Sequence, residues 1–343
     1  MKRGLVPTAV SEETRADCAA RVERLRSHLL EAGCDAALIY GDVSRAEDIY
    51  YLGNLCLFWN EGVLVVPARG EAAFATKLSQ RSQPWMRAAG TIDAVRSGPN
   101  LPRLIGQVLA DAGTPARRVG LVDRDWWPCA VLDTLDESLP ETEFVDLGDV
   151  VRRDRVVPDE RELEALRRLG RVAAEATNAA VGLEGTPGER IAAIERIARS
   201  AGMTDVFATA ESAADRSVTV TATLQLQHLW LRVGRSIGGP LADHAAAESA
   251  RVASALRDGA SDATLAAALS ADAPGDVTLS AEAVRHVDVA AADRSERTNG
   301  DASLRRDEVV VVTVTAAQDG GRASHTDTYL LREHSAELLS GVA

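Results

Sequence analysis

Residues 304–340 read LRRDEVVVVTVTAAQDGGRASHTDTYLLREHSAELLS. After Glu308, every residue of EVVVVTVTAA (308–317) is β-branched or alanine, and β-branched side chains suit a pleated, half-buried surface. QDGG (318–321) supplies the residues of a tight turn, and RASHTDTYLL (322–331) continues as a second strand. The pattern predicts a β-hairpin near the end of the chain. Side chains alternate across a strand, so Thr313 and Thr315 share one parity. Ser324, Thr326 and Thr328 share one parity of the second strand, and His325 and Asp327 take the other.

Upstream, SVTVTATLQLQHLWLRV (217–233) reads as a strand, with Thr219, Thr221, Thr223, Gln225 and Gln227 on one parity and His228, Trp230 and Arg232 on the other. Residues 241–269 are helical with a break near Gly259. TPGE (186–189) opens a helix that runs to Gly202, with Thr186 as cap, Pro187 in the first turn and Glu189 completing a capping box. Pro158 and Asp159 open a long helix carrying Leu163, Leu166, Leu169 and Val172 at helical spacing.

In the first half, residues 11–32 predict an amphipathic helix with Gly33 as its stop. DAALIYG (35–41), RVGLVD (118–123) and EFVDLGDVV (143–151) read as strands. GVLVVPARGEAAFAT (62–76) reads as a hairpin turning near Pro67–Gly70, and residues 101–113 as a helix. Strands alternating with helices imply an α/β fold with a mainly parallel or mixed sheet. The helical stretch 150–181 marks the joint, so the expected domains are 1–154 and 155–343.

The chain has 343 residues, which suits about two domains. With 38 basic and 51 acidic residues its formal charge is −13. That argues against binding nucleic acid by phosphate neutralisation and against an anionic membrane surface. The first residues, MKRGLVPTAVSEET, lack the apolar core of a signal peptide, and no stretch has the roughly 18 apolar residues of a membrane span. Cys18, Cys34, Cys56 and Cys129 are widely spaced with no CxxC pair, which reads as reduced thiols in a cytoplasmic protein.

Four patches carry a family resemblance. IYYLGNLCLFWNEGVLVV (49–66) resembles an N-domain strand and loop. VVRRDRVVPDERELEALRRLGRVA (150–173) resembles a linker entering a catalytic domain, GTPGERIAAIERIARSAGM (185–203) a helix pair, and 304–340 the closing hairpin. Together and in this order they resemble the creatinase / aminopeptidase P / prolidase (M24) family. The resemblance implies a creatinase-like N-terminal domain, a "pita-bread" C-terminal domain and a homodimer.

The family's peptidases hold two metal ions with two Asp, one His and two Glu, hard donors that divalent ions need. Matched onto this chain, the first metal Glu falls at Thr315 and the second at Thr326. The strand expected to supply both Asp, VTVTATLQLQHLWLRVG (218–234), contains no carboxylate. The glycine-histidine region is matched by VRHVDVAA (284–291), which keeps only His286. The expectation is that the dinuclear site is absent, with no other cofactor. Creatinase is a metal-free precedent that uses a His proton shuttle to hydrolyse a C–N bond. Its Glu-Arg pair falls here at Leu231–Arg232, so only the Arg is kept.

Four candidate groups follow. His286 and Asp288, two apart on a strand, would point to one face, where the carboxylate could orient the imidazole for acid–base work. The alternative is ordinary polar alternation. His228 and Arg232 would share a stripe with Trp230, where Arg232 could bind a carboxylate or phosphate in fork geometry or snorkel over the indole. Thr313, Thr315 and Thr326 would line a neutral cavity fit for a polar molecule, or simply be good strand formers. Trp59, in Phe58–Trp59–Asn60, lies in a loop that in the family reaches the partner subunit's site.

Two functions from different classes follow. One is a metal-independent enzyme acting on a small amino- or guanidino-type metabolite, by hydrolysis, elimination or rearrangement near a C–N bond, in specialised biosynthesis. The other is a pseudoenzyme whose cavity binds a ligand or peptide.

Overall fold

The computed structural model describes residues 10–55, 57, 60–213, 217–270, 276–289 and 303–341. The chain divides into two compact units, one ending at Asp154 and one beginning at Arg155.

The first unit alternates α1 (Glu12–Ala32), β1 (Ala36–Gly41), α2 (Glu47–Gly53), β2 (Gly62–Pro67), β3 (Ala73–Thr76), α3 (Gln83–Ala89), β4 (Ala94–Ser97), α4 (Leu101–Asp111), β5 (Arg118–Val122), α5 (Cys129–Ser138), β6 (Glu143–Gly148) and α6 (Val150–Arg155). Ser11 caps α1 by accepting from the Thr14 amide, and Gly33 stops it in the left-handed region at φ 64°. The sheet order is β4-β3-β2-β1-β5-β6. Only β2 runs antiparallel to its neighbours. Its two faces bury separate apolar clusters, one around Leu25, Ile39 and Phe74 and one around Leu38, Val65 and Ile105. The DIYYLG stretch, expected as strand and loop, is helix α2. Its Ile49, Tyr50, Tyr51 and Leu52 are all buried, and tertiary packing outweighs their strand preference.

The second unit runs α7 (Glu160–Val181), α8 (Pro187–Ser200), β7 (Asp205–Ser212), β8 (Val218–Leu226), β9 (Leu229–Ile237), α9 (Pro240–Ala255), α10 (Asp262–Ala268), β10 (Thr278–Arg285), β11 (Val309–Gln318), β12 (Gly321–Leu331) and β13 (Ala336–Leu338). Both α7 and α8 open on full capping boxes, Asp159 with Glu162 and Thr186 with Glu189. The strands form an antiparallel sheet in the order β10-β11-β12-β9-β8-β7, with β13 beside β12.

Two local expectations need correction. Residues 217–233 are not one strand: the chain reverses at Gln227–His228, with Gln227 in the left-handed region at φ 55°, and β8 and β9 pair across the turn. His286 and Asp288 are not on a strand either; they form a 3-10 turn that ends β10.

Alternation sorts this sheet into two faces. Val220, Arg235, His325, Val314 and Ala281 stand opposite one another across five strands. On this face α7 and α8 bury Leu166, Leu169 and Ile194 against Ala222, Leu224 and Leu231. On the same face α9 and α10 bury Val252 and Leu265 against Val310 and Val312. Each such aliphatic side chain contributes about 1.5–3 kcal/mol on burial. These four helices therefore lie on one side, and the alternate residues face the other, where the turn at 286–289 packs Val289 against Trp230 and Val311.

Candidate functional site

The face opposite the helices is built in rows. One row crosses six strands: Thr209, Thr221, Gly234, Thr326, Thr313 and Glu282. Thr313 and Thr326 are a direct cross-strand pair, their hydroxyls 3.0 Å apart. Gly234 sits under this row. A Cβ there would lie 3.1 Å from Thr221 Oγ1 and 3.2 Å from Thr326 Oγ1, so the threonines close over a glycine.

The next row holds Phe207, Thr223 and Arg232. Arg232 Nε donates to Thr223 Oγ1 at 2.9 Å, Nη2 donates to Val289 O at 3.4 Å, and Thr328 Oγ1 donates to Arg232 O at 2.9 Å. On the other side of the glycine row, Thr315 pairs with Ser324 and Ser280. Nearby, Thr219 and Ser236 share a 2.6 Å hydroxyl contact, and Ser236 donates to Ser324 O. The result is a face whose middle is hydroxyls beside the Arg232 guanidinium, with exposed charges toward its margins at Glu211, Glu282 and Arg322.

The structure brings Arg232, Thr313, Thr315 and Thr326 onto this face together, and Trp230 with them. The histidines do not join them. His228 occupies the β8–β9 turn, where its Nε2 meets Glu162 Oε1 at 2.7 Å and both side chains are buried. Glu162 also accepts from the Asp159 amide at 2.8 Å, so the carboxylate serves a helix cap and an imidazole together. Arg155 Nη2 donates to His228 O at 3.3 Å. The expected stripe of His228, Trp230 and Arg232 thus loses its first member, because a hairpin turn has no strand parity.

His286 is 1% exposed, and neither ring nitrogen has a hydrogen-bond partner among the described residues. Burial, with the positive charge of Arg155 adding to it, pushes its pKa down to about 3. It is a neutral, sealed imidazole at physiological pH. Asp288 is buried in the same turn. The expected strand-borne His–Asp pair pointing to one open face is corrected accordingly. Trp59 lies outside the described residues.

Two features were missed from the sequence. On the helix-covered face Asp327 accepts from Arg235 Nη2 at 2.6 Å and Ser340 Oγ at 2.7 Å, and sits 2.9 Å from His325 Nε2. Burial alone would raise its pKa; His325, Arg235 and Ser340 outweigh it and hold the carboxyl below its ordinary value. On the opposite face Gln225 is fully buried with neither amide atom hydrogen-bonded among the described residues, and Phe207 is 52% exposed. The parity of DVFATAES (205–212), apolar against polar, was the signal for that strand.

A pair of divalent ions needs several carboxylates and an imidazole within reach of one another. The row across this sheet offers hydroxyls at Thr209, Thr221, Thr326 and Thr313, with Glu282 exposed at its far strand; the neighbouring row adds Thr315 and Ser324 and reaches exposed Glu211 on β7. Among the described residues no group of three or more His, Cys, Asp or Glu is placed to hold a metal ion. The donors described on this face do not make up the set that a dinuclear centre needs.

Residues 21–157 match the model of the Creatinase/Prolidase N-terminal domain. None of the curated proteins compared matches the chain. Among solved structures, the X-Pro aminopeptidase of Thermotoga maritima MSB8 is similar over 94% of this chain and 98% of its own, with a TM-score of 0.79 and 15% identity. The prolidase of Pyrococcus horikoshii OT3 is similar over 94% and 99%, with a TM-score of 0.75 and 15% identity. The Xaa-Pro dipeptidase of Bacillus anthracis is similar over 95% and 98%, with a TM-score of 0.73 and 16% identity. At such identities the likeness is one of fold. The chain thus carries a Creatinase/Prolidase N-terminal domain and shares the two-domain fold of X-Pro aminopeptidases and prolidases.

Proposed function

We propose that the C-terminal domain binds a small polar metabolite, carrying a carboxylate and an amino or guanidino group, on its open sheet face, and does so without a metal pair. The observation that carries this reading is the row across six strands, four of its members threonines, with Arg232 beside it. Hydroxyls donate and accept, so they fit a neutral polar backbone in either sense. Arg232 offers a planar fork for a carboxylate, and Thr223 fixes its Nε edge. Glu282, exposed three strands away, offers the opposite charge to an amine. Strands lie about 4.8 Å apart, so these two Cα positions are separated by roughly 15 Å. The reach of both side chains leaves a gap of several bonds, which suits a γ-amino or γ-guanidino acid.

Catalysis is the second reading. The peptidases among the similar structures support a hydrolase, and cleavage, elimination or rearrangement beside a C–N bond in a biosynthetic pathway belongs to that reading. His228 is engaged by Glu162 and His286 is sealed, so Glu282 would be the open-face group that holds or moves a proton. The family resemblance also supports a homodimer, which light scattering reads directly.

The test titrates γ-aminobutyrate and γ-guanidinobutyrate into the full chain by calorimetry, with and without EDTA. One of them binds, EDTA changes nothing, and Arg232→Gln weakens it by about tenfold or more, the value of a hydrogen bond to a charged group. A requirement for added Mn, Zn, Co or Fe removes the metal-free part of the reading. Binding of neither compound overturns it.

A further inference from the structure

We infer that the molecule bound beside Arg232 carries a single flat apolar ring, seated on Phe207; this rests on the open-face reading above. The order of strands separates three kinds of chemistry. Phe207 lies on β7, Arg232 on β9 and Glu282 on β10 at the opposite edge. The ring is therefore on the far side of the guanidinium from Glu282, and four residues along β7 from exposed Glu211.

Phe207 is half exposed, yet it is held rather than loose. Its ring stacks on Trp230, centroids 5.7 Å apart and planes 26° apart, across the width of β8. Trp230 is itself buried in a small cluster with Val289 and Val311. One face of an aromatic pair is thus fixed from below while Phe207 remains 52% exposed. Exposed aromatic surface on a rigid base is a stacking platform whose geometry favours a second ring over an aliphatic chain. The neighbours in register are Thr209, Thr221 and Thr223. The apolar surface is therefore one ring wide, too small for a long acyl chain.

The spacing agrees. Phe207, Thr223 and Arg232 stand in one row, two strand steps apart, roughly 10 Å between the outer Cα atoms. Thr223 between them anchors Arg232 Nε at 2.9 Å, so the guanidinium is oriented before a ligand arrives. A ring two or three bonds from a carboxylate spans that row.

The probe pair is γ-aminobutyrate and β-phenyl-γ-aminobutyrate, which share both charged ends and differ by one ring. The phenyl compound should bind the full chain about tenfold tighter, in line with one added aromatic contact and its buried area. Phe207→Ala should abolish that preference, bringing the affinities of the two compounds together, and Phe207→Tyr should keep it. An unchanged melting temperature for these exposed-site variants separates the effect from unfolding. Equal affinity for the two compounds in the unmodified chain, or a preference that survives Phe207→Ala, overturns the inference and leaves the Arg232 reading standing. Binding of neither overturns both. Dissociation of a dimer by Phe207→Ala would assign the ring to subunit packing and also overturn the inference.

Discussion

The two faces of the C-terminal sheet differ in how they hold polar groups. On the helix-covered face a buried carboxylate, Asp327, is met by Arg235, Ser340 and His325. On the other face, threonines meet threonines: Thr313 with Thr326, and Thr219 with Ser236 nearby. On the first face charge is enclosed by partners; on the second the described charges Glu211, Glu282 and Arg322 lie toward the margins and the middle holds hydroxyls beside Arg232. The contrast shows His228, His286 and Asp327 enclosed by the fold; on the reading proposed above, recognition falls to the hydroxyls and Arg232. It also predicts unequal costs for breaking each face. Asp327→Ala removes the acceptor shared by Arg235, His325 and Ser340, and because Arg235 keeps its bonds to Gly234 O and Thr326 O the loss should lie near the lower end of the about 3–5 kcal/mol for breaking a buried pair. Urea unfolding should show this loss; less than about 1 kcal/mol would end the contrast.

Next in size is the effect of pH on His286. Its folded pKa is depressed to about 3, while an unfolded histidine titrates near 6.5. Below about 6.5 the unfolded chain takes up a proton that the folded chain refuses, so stability falls as pH falls. The slope reaches about 1.4 kcal/mol per pH unit and ends near pH 3. Asp327 acts in the same direction but later. Its depressed pKa adds stability that is complete above the unfolded value of about 3.9 and is lost as pH falls through the folded value. Between about pH 6.5 and 4 the loss therefore belongs to the histidine. His286→Leu should flatten the unfolding midpoint over that window; an unchanged slope would mean that the ring titrates normally.

Gly234 tests the open face itself. The added Cβ of Gly234→Ala meets two threonine hydroxyls at 3.1 and 3.2 Å and Thr326 Cβ at 3.3 Å. These neighbours belong to the two strands paired with β9 and can give only slightly, so the expected loss is about 1–2 kcal/mol. Thermal unfolding reads it. A neutral result would show that the threonine row is looser than its geometry.

Much of this was legible in the residues. The terminal hairpin with its Asp319–Gly320 turn, the capping boxes at Asp159 and Thr186, and the shared parity of Thr313, Thr315 and Thr326 all follow from local chemistry. The failures are equally physical. LQLQHLWL (224–231) keeps a strand-like pattern straight through a reversal, because Gln227 adopts a left-handed conformation without glycine or asparagine to announce it. The reversal removed His228 from the stripe. The HVD turn at 286–288 was hidden because three residues carry no reliable period. The enclosure of His228 by Glu162 spans 66 residues of sequence, a separation that spacing cannot reveal.

The smallest expected effect is also the sharpest comparison of the two faces. Thr313 Oγ1 and Thr326 Oγ1 lie 3.0 Å apart, with Thr326 buried and Thr313 half-buried. Thr326→Val keeps the shape and removes one hydroxyl, leaving Thr313 to find water or another acceptor, at a cost of about 0.5–1.5 kcal/mol. Thr313→Val/Thr326→Val removes both partners, and a pair replaced by apolar groups of the same shape is nearly neutral. The double variant should therefore be more stable than the single, a coupling that a double-mutant cycle measures directly. On the helix-covered face the same treatment of Asp327 and Arg235 cannot be neutral, since His325 and Ser340 would remain without the carboxylate they share. Equal coupling on both faces would mean that the hydroxyls bear structural load like the charges, and that the open face is not reserved for a ligand.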